Sequence, residues 1–250
     1  RPTVLPRGYR PGGPSVQGVN YEVEKVTAYE VGSKNRFFDN RLQVNLAAYL
    51  NDYPNFQNEA TLYGASNLQI STIVGIPARF KGLEIEAVWA ITPNDRLDVS
   101  TSFSEAKYIS NGLVTDLSGN TATVTTDEGR VPHAPGTIAT VGYSHDFALS
   151  DGGRLSAAIS SSYRSKQYIA FNSCLYDANG CTSGLTVGRL TQGAYNLVDV
   201  ALTYTPASKP FSISVYGRNV TDEVYKTGND GTLAFLGAPA TYGVILRANY

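Results

Sequence analysis

The sequence predicts an all-β protein, an antiparallel transmembrane β-barrel of which about nine to ten strands are present, and three observations predict it. Apolar and polar residues alternate with period 2 along most of the chain. The connections between these stretches are strictly short, then long, in turn. Charged residues make up only 16% of the 250, and no apolar run approaches the roughly 18 residues that a membrane helix needs.

Each strand is argued from its own alternation. In Arg41–Leu50 the apolar positions are Leu42, Val44, Leu46, Ala48 and Leu50, with Arg41, Gln43 and Asn45 opposite. Next, Leu83, Ile85, Ala87, Trp89 and Ile91 oppose Glu84 and Glu86, and Leu97, Val99 and Phe103 oppose Asp98, Ser100 and Ser102. Leu155, Ala157 and Ile159 then oppose Ser156, Ser160 and Ser162, and Val198, Val200, Leu202 and Tyr204 oppose Asp199, Ala201 and Thr203. The series ends with Phe211, Ile213 and Val215 against Ser212 and Ser214, and with Tyr242, Val244, Leu246, Ala248 and Tyr250 against Thr241, Arg247 and Asn249.

Short turns are expected at Asn35–Asn40, Thr92–Asp95, Ser150–Gly153 and Thr205–Pro210, all rich in Asn, Asp, Gly, Pro or Ser. Long connections are expected at Asn55–Asn67, Ser110–Pro135, Asn172–Gly193 and Val220–Ala240. One trimmed rim and one looped rim characterise outer-membrane barrels. Trp89, Phe147, Tyr204, Phe211 and Tyr250 fall near the trimmed ends on the apolar positions, where an aromatic girdle meets lipid headgroups, although the same rings could fill a sandwich core. The polar face reads Ser, Thr, Asn, Gln, Tyr and Arg rather than Lys and Glu; Ser156, Ser160, Ser162 and Arg164 suit the lining of a lumen. Nine strands cannot close alone, since single-chain bacterial barrels have even strand numbers. Either a tenth strand lies within Val16–Val23 or the chain is the C-terminal part of a larger barrel. The absence of Met points the same way, and the Pro- and Gly-rich Arg1–Gly18 has no apolar core like that of a signal peptide.

Composition also limits function. An apolar share of 42% rejects disorder, and 20 basic against 21 acidic side chains leave no field to hold nucleic acid. Cys174 and Cys181, with Asp177, Asn179 and Gly180 between them, have a spacing compatible with a disulfide-closed loop in an oxidising compartment; two unpaired thiols are the alternative. His133 and His145 lie at no ligand spacing from the cysteines and near no nucleophile motif, so no metal, cofactor or catalytic residue is expected. Glu84 and Glu86 lie on one strand face about 7 Å apart, a spacing a glycosidase could use. Pairing with Arg or Lys on a neighbouring strand or a plug is the simpler role. Asn219-Val220-Thr221 fits a glycosylation acceptor, but Thr221 and Asp222 read more simply as turn formers. Tyr168, Phe171 and Tyr176 flank the cysteines and could stack on a sugar or an aromatic metal chelate, or pack the loop against itself.

Several segments resemble the barrels of TonB-dependent outer-membrane receptors. Val26–Gln57 resembles a strand pair of the later barrel half and Gly82–Glu86 the strand after it. Tyr216–Tyr225, YGRNVTDEVY, resembles the family's Asn-Leu-Thr-Asp-Glu box, and Pro239–Gly243, PATYG, its Pro-Arg-Thr-Tyr-Gly turn, with Tyr250 where the family keeps a terminal aromatic. Val220 stands for the usual Leu and Ala240 for the usual Arg. The resemblance runs over nearly the whole chain from about Glu24.

It implies that residues 24–250 are the C-terminal part of a 22-stranded outer-membrane barrel, that residues 1–23 are an extracellular loop leading into it, and that the plug domain lies outside this chain. The implied function is energised uptake of a scarce nutrient such as a ferric siderophore, with cobalamin and carbohydrate as other substrates of the family. The implied partners are outer-membrane lipid, the plug and the rest of the barrel, TonB through that plug, the nutrient, and the barrel-assembly machinery reading Tyr250. Parity puts Glu84, Glu86, Asp98, Arg164, Asp199, Arg218 and Arg247 on the lumenal wall, where they would hold the plug. Two rivals remain: a passive porin or structural outer-membrane barrel without a plug, and a soluble ligand-binding β-barrel, which detergent-phase partitioning of the full-length protein distinguishes.

Overall fold

Alternating stretches pair into one ten-stranded antiparallel sheet in the computed structural model. The structure describes residues 7–14, 20–63, 69–110, 112–115, 121–125, 129–170, 172–174, 176–177, 180–181, 190–208, 211–229 and 233–248. The strands are β1 (Arg7–Arg10), β2 (Glu24–Phe37), β3 (Leu42–Tyr63), β4 (Gln69–Ala90), β5 (Asp95–Tyr108), β6 (Thr137–Ala148), β7 (Arg154–Arg164), β8 (Tyr195–Thr205), β9 (Phe211–Arg218) and β10 (Thr241–Ala248). Each pairs with its neighbours in chain order, an up-and-down meander.

The short turns form where left-handed backbone is tolerated. Phe38, Asp39 and Asn40 between β2 and β3 have φ of 52°, 53° and 67°, and Arg41 N–H closes the turn on Phe38 O at 3.0 Å. Asp and Asn accept this region readily. Between β6 and β7 it falls to Gly152, at φ 80°, and Gly153 N–H donates to Asp151 Oδ1 at 2.8 Å.

Register puts the apolar positions on one face. Val44, Ala87 and Val99 are consecutive cross-strand partners, as are Tyr143, Ile159 and Val200, and Leu202, Val215 and Val244. This face is bare: Leu202 is 44% exposed, Val215 53% and Leu246 73%. None of Leu42, Val44, Ile85 and Val200 is buried. The aromatics Trp89, Phe147 and Phe211 are exposed at the short-turn ends, joined by Phe37 and Phe38, while the Tyr204 hydroxyl reaches Asp151 Oδ2 at 3.4 Å. Tyr250 lies outside the described residues.

The structure departs from the sequence reading in three places. The strand beside β2 is Arg7–Arg10, not Val16–Val23; Asn20–Tyr21 instead pairs with Gly13–Pro14, and residues 15–19 lie outside the described residues. Residues 1–23 are therefore not all loop. Asn55–Asn67, expected as a connection, is mostly strand: β3 and β4 are each 22 residues long, and only residues 64–68 separate them. At ~3.3 Å per residue such a strand spans roughly 70 Å, well over twice the hydrocarbon core. Pro54 and Asn55 read as turn formers but are absorbed by a bulge between Tyr53 and Phe56, so the ladder resumes beyond them.

Apolar residues do form a core, but at the looped end and on the polar side of the sheet. Val74, Ile76 and Ala78 of β4, Ala106 and Tyr108 of β5, and Val131 are buried there. Tyr53, Phe56 and Phe80 pack against them with ring centroids 5.0 to 5.2 Å apart. In β4 the apolar parity flips: odd positions from Leu83 to Trp89, even ones from Val74 to Phe80. The flip in β5, from Phe103 to Ala106, lies at the same height. A strand that leaves lipid for water must turn its apolar side chains from outside to inside.

Tyrosines cover glycines across the polar face. Tyr49 is the register partner of Gly82, where a Cβ would meet the Phe103 carbonyl oxygen and the Tyr49 hydroxyl, each at 2.7 Å. Tyr216 covers its partner Gly243 in the same way. Gly82→Val is expected to lower stability by about 1 to 3 kcal/mol, read as a lower urea midpoint for the folded full-length protein in detergent.

Candidate functional site

The polar parity of β5 to β10 gives the sheet one polar face. Asp98, Gly142, Ser160 and Asp199 follow one another in register or beside it, and with Arg218 and Arg247 they line a hollow of ≈ 550 Å³. Four of the seven residues assigned to the wall by parity thus come together: Asp98, Asp199, Arg218 and Arg247. Glu84, Glu86 and Arg164 sit elsewhere on the same face.

Their partners show what each can offer. Arg96 donates to Asp98 from Nε at 2.8 Å and Nη2 at 2.7 Å, so this carboxylate is paired along its own strand. Glu86 accepts from Asn45 Nδ2 at 3.4 Å, and Glu84 stands opposite Ala47 and Ser102. Arg218 lies over the Tyr216 ring, 5.5 Å from its centroid. Arg247 is the register partner of Ser212. Arg164 is a hydrogen-bond partner of Tyr195, whose ring stacks on Tyr225 at 4.6 Å.

Asp199 has a structural partner: it accepts the Asn219 N–H at 2.8 Å. Asn219 is 5% exposed with φ 48°, and its side chain is fully used. Its Nδ2 donates to Glu223 O at 3.0 Å and Ala238 O at 3.1 Å, while Oδ1 accepts from Glu223 N–H at 2.9 Å. Val220 N–H reaches Val198 O at 2.8 Å, and Asp222 Oδ1 accepts from Ala240 N–H at 2.9 Å. The box of residues 219–223 is a clasp that ties the last long connection to β8 and to its own return. Composition had suggested turn formers at Thr221 and Asp222; the central part of Asn219 depends on atoms that only the fold assembles.

Tyr168 is 4% exposed, and its carbonyl accepts the His133 N–H at 2.7 Å. Together with Arg130, Gly136, Ser165, Lys166 and Gln167 it lines a hollow of ≈ 360 Å³. Phe171 lies outside the described residues, as do the side chains of Cys174, Tyr176 and Cys181; the backbone of Tyr176–Asp177 pairs with Gly180–Cys181. On the 57–58 stretch, the Gln57 amide donates to Pro11 O and Glu22 O, its N–H donates to Glu24 Oε2, and Asn58 Nδ2 donates to the Tyr108 hydroxyl. Burial there pushes the Tyr108 phenol well above its usual range. At the opposite rim His145 Nδ1 meets Asp95 Oδ1 at 2.6 Å. Chemically the polar face offers hydrogen-bonding groups and charges of both signs around the ≈ 550 Å³ hollow.

A family model described as "TonB dependent receptor-like, beta-barrel" matches residues 1–220. Among solved structures the chain is similar to the ferric yersiniabactin uptake receptor FyuA from Yersinia pestis, with TM-score 0.71 and 19% identity, covering 98% of this chain and 34% of that one. It is similar to BauA, the ferric preacinetobactin receptor from Acinetobacter baumannii, at TM-score 0.62 and 18% identity, covering 96% and 32%. For the copper transporter OprC the values are 0.63 and 15%, covering 90% and 31%. The chain therefore spans about a third of the length of these structures. At such identities the likeness is one of fold. No curated protein sequence matches.

Proposed function

From this chain's membership of the TonB-dependent receptor-like β-barrel family, we propose that it forms the C-terminal wall of a bacterial outer-membrane receptor for energised uptake of a scarce nutrient. The family match over residues 1–220 is the observation that carries the reading. A ferric siderophore is the nutrient we assign, because FyuA and BauA are named as receptors of ferric chelates; OprC makes copper the alternative outcome.

In this reading the bare apolar face meets acyl chains and the polar face bounds the lumen. Glu84, Glu86, Asp98, Arg164, Asp199, Arg218 and Arg247 hold a plug, which TonB pulls to open a path. Asp98, Asp199 and Glu86 are bonded to Arg96, Asn219 and Asn45, so Glu84 and Arg247 are the stronger plug contacts. Tyr168, Phe171 and Tyr176 are assigned to ligand contact, Cys174 and Cys181 to a disulfide that closes their loop, and Tyr250 to the assembly signal. The wall has no catalytic role. Uptake of radio-iron as a ferric siderophore by cells expressing the full-length protein tests this. The expected result is uptake abolished by deletion of TonB or by a protonophore; uptake indifferent to both indicates a passive porin.

A further inference from the structure

Among the described residues two buried side-chain oxygens have no hydrogen-bond partner, Asn45 Oδ1 and Gln57 Oε1. Gln57 is the more enclosed, at 4% exposed, and lies past the bulge of β3 at the looped end of the sheet. The Nε2 of the same amide donates to Glu22 O at 2.8 Å and Pro11 O at 3.1 Å, and the Gln57 N–H donates to Glu24 Oε2 at 2.6 Å. Oxygens from both sides of the Gly13–Pro14 and Asn20–Tyr21 pairing therefore converge on one buried side chain. As it stands, the amide oxygen has lost its hydration and gained no donor. Turning the amide over does not cure this by itself, because Oε1 then faces two carbonyl oxygens. A cation held between the three oxygens does.

The donor set selects the ion. Two backbone carbonyls, one amide oxygen and one carboxylate, with no His or Cys, suit a hard cation. The amide nitrogen stands 2.8 and 3.1 Å from the two carbonyl oxygens, the separation of neighbouring ligands around an ion whose bonds are about 2.4 Å long. Magnesium dehydrates reluctantly and takes few protein ligands, whereas calcium accepts neutral carbonyls in irregular sets. The local charge permits it: Arg10 is the register partner of Glu24, but among the described residues neither Glu22 nor Glu24 forms an ion pair with Lys or Arg.

We propose that Gln57 Oε1, the carbonyl oxygens of Pro11 and Glu22 and the Glu24 carboxylate bind a calcium ion. The Gln57 amide turns so that its oxygen takes the place of its nitrogen, and water fills the remaining positions. The ion pins the segment from Pro11 to Glu22 against β3, a task that the amide performs alone when calcium is absent. Half of the ligands are backbone atoms, so no spacing of side chains in the sequence reveals the site. It is independent of which nutrient is carried and of whether uptake is energised.

The test uses the full-length protein in mild detergent, freed of divalent cations by a chelator, and follows cleavage after the exposed Glu22 by a glutamate-specific protease, mapped by mass spectrometry. Calcium at about 1 mM is expected to slow this cleavage about tenfold, and magnesium at the same concentration to leave it unchanged. Glu24→Gln keeps an acceptor for the Gln57 N–H but removes the charge; it is expected to be cleaved at the wild-type rate in chelator and to lose the protection by calcium. Gln57→Glu cannot donate to the two carbonyls but can ligate, so it is expected to be cleaved faster in chelator and to be protected at lower calcium than the wild type. A clasp made of hydrogen bonds alone predicts no such recovery. Cleavage of the unmodified protein that calcium does not slow, equal protection by magnesium, or full protection of folded E24Q overturns the proposal. The first of these needs no variant, and none depends on uptake.

Discussion

Asn219→Ala is expected to destabilise the full-length receptor by about 3 kcal/mol. The side chain is buried and satisfies three backbone groups, Glu223 N–H, Glu223 O and Ala238 O. Removing it orphans all three at a cost of about 1 kcal/mol or more each, and Ala tolerates the φ of 48° less well than Asn. Asn219→Asp separates the contributions, since a carboxylate still accepts from Glu223 N–H but cannot donate to the two carbonyls. The measurement is the fraction that keeps its compact migration in cold detergent across a urea series. Both substitutions are expected to lower the midpoint, aspartate at least as much as alanine because its buried carboxylate faces the two carbonyl oxygens, and an unshifted midpoint contradicts the clasp.

Val200→Arg is the second substitution with a large expected effect. Val200 lies midway along β8 on the apolar face and is 38% exposed. An arginine on the lipid face at the bilayer midplane costs about 2 to 4 kcal/mol. Its register partner Ile159 precedes Ser160, which lines the ≈ 550 Å³ hollow on the other face. Ser160→Arg is expected to cost under about 1 kcal/mol, because a lumenal guanidinium stays hydrated and lies across the ladder from Asp199. Folding yield into lipid vesicles compares the two directly; equal costs contradict the assigned faces.

Much of this architecture could be read from residue order alone because its cause is local. Alternation in Arg41–Leu50, Leu83–Ile91 and Val198–Tyr204 sets the faces, and the Asp-Asn and Asp-Gly-Gly turns set the trimmed rim. Past the apolar band the same rules mislead. Pro54 and Asn55 look like a turn, but pairing with β4 resumes past them, and β1, only 4 residues long, is too short to show a period. The parity flip between Phe80 and Leu83 is legible in the residue order, yet only register shows that Phe103 to Ala106 flips beside it. Within the site, Asp98, Asp199, Arg218 and Arg247 follow from parity. Their partners do not: the Asp199 bond to Asn219 N–H closes across 20 residues of chain. Tyr168 is an exposed-looking loop aromatic until the connections fold over it.

Nitroxide labels at successive positions from Ala157 to Ser162 of β7, in the full-length protein reconstituted in vesicles, test most directly which face meets lipid. Positions 157, 159 and 161 are expected to collide with dissolved oxygen, and 158, 160 and 162 with a water-soluble nickel chelate. Ser161 is the decisive position, since its residue type is polar while its register partner Val198 and its parity put it against the acyl chains. A nickel-accessible label there, or no alternation along the strand, contradicts a sheet whose apolar face is turned to the membrane.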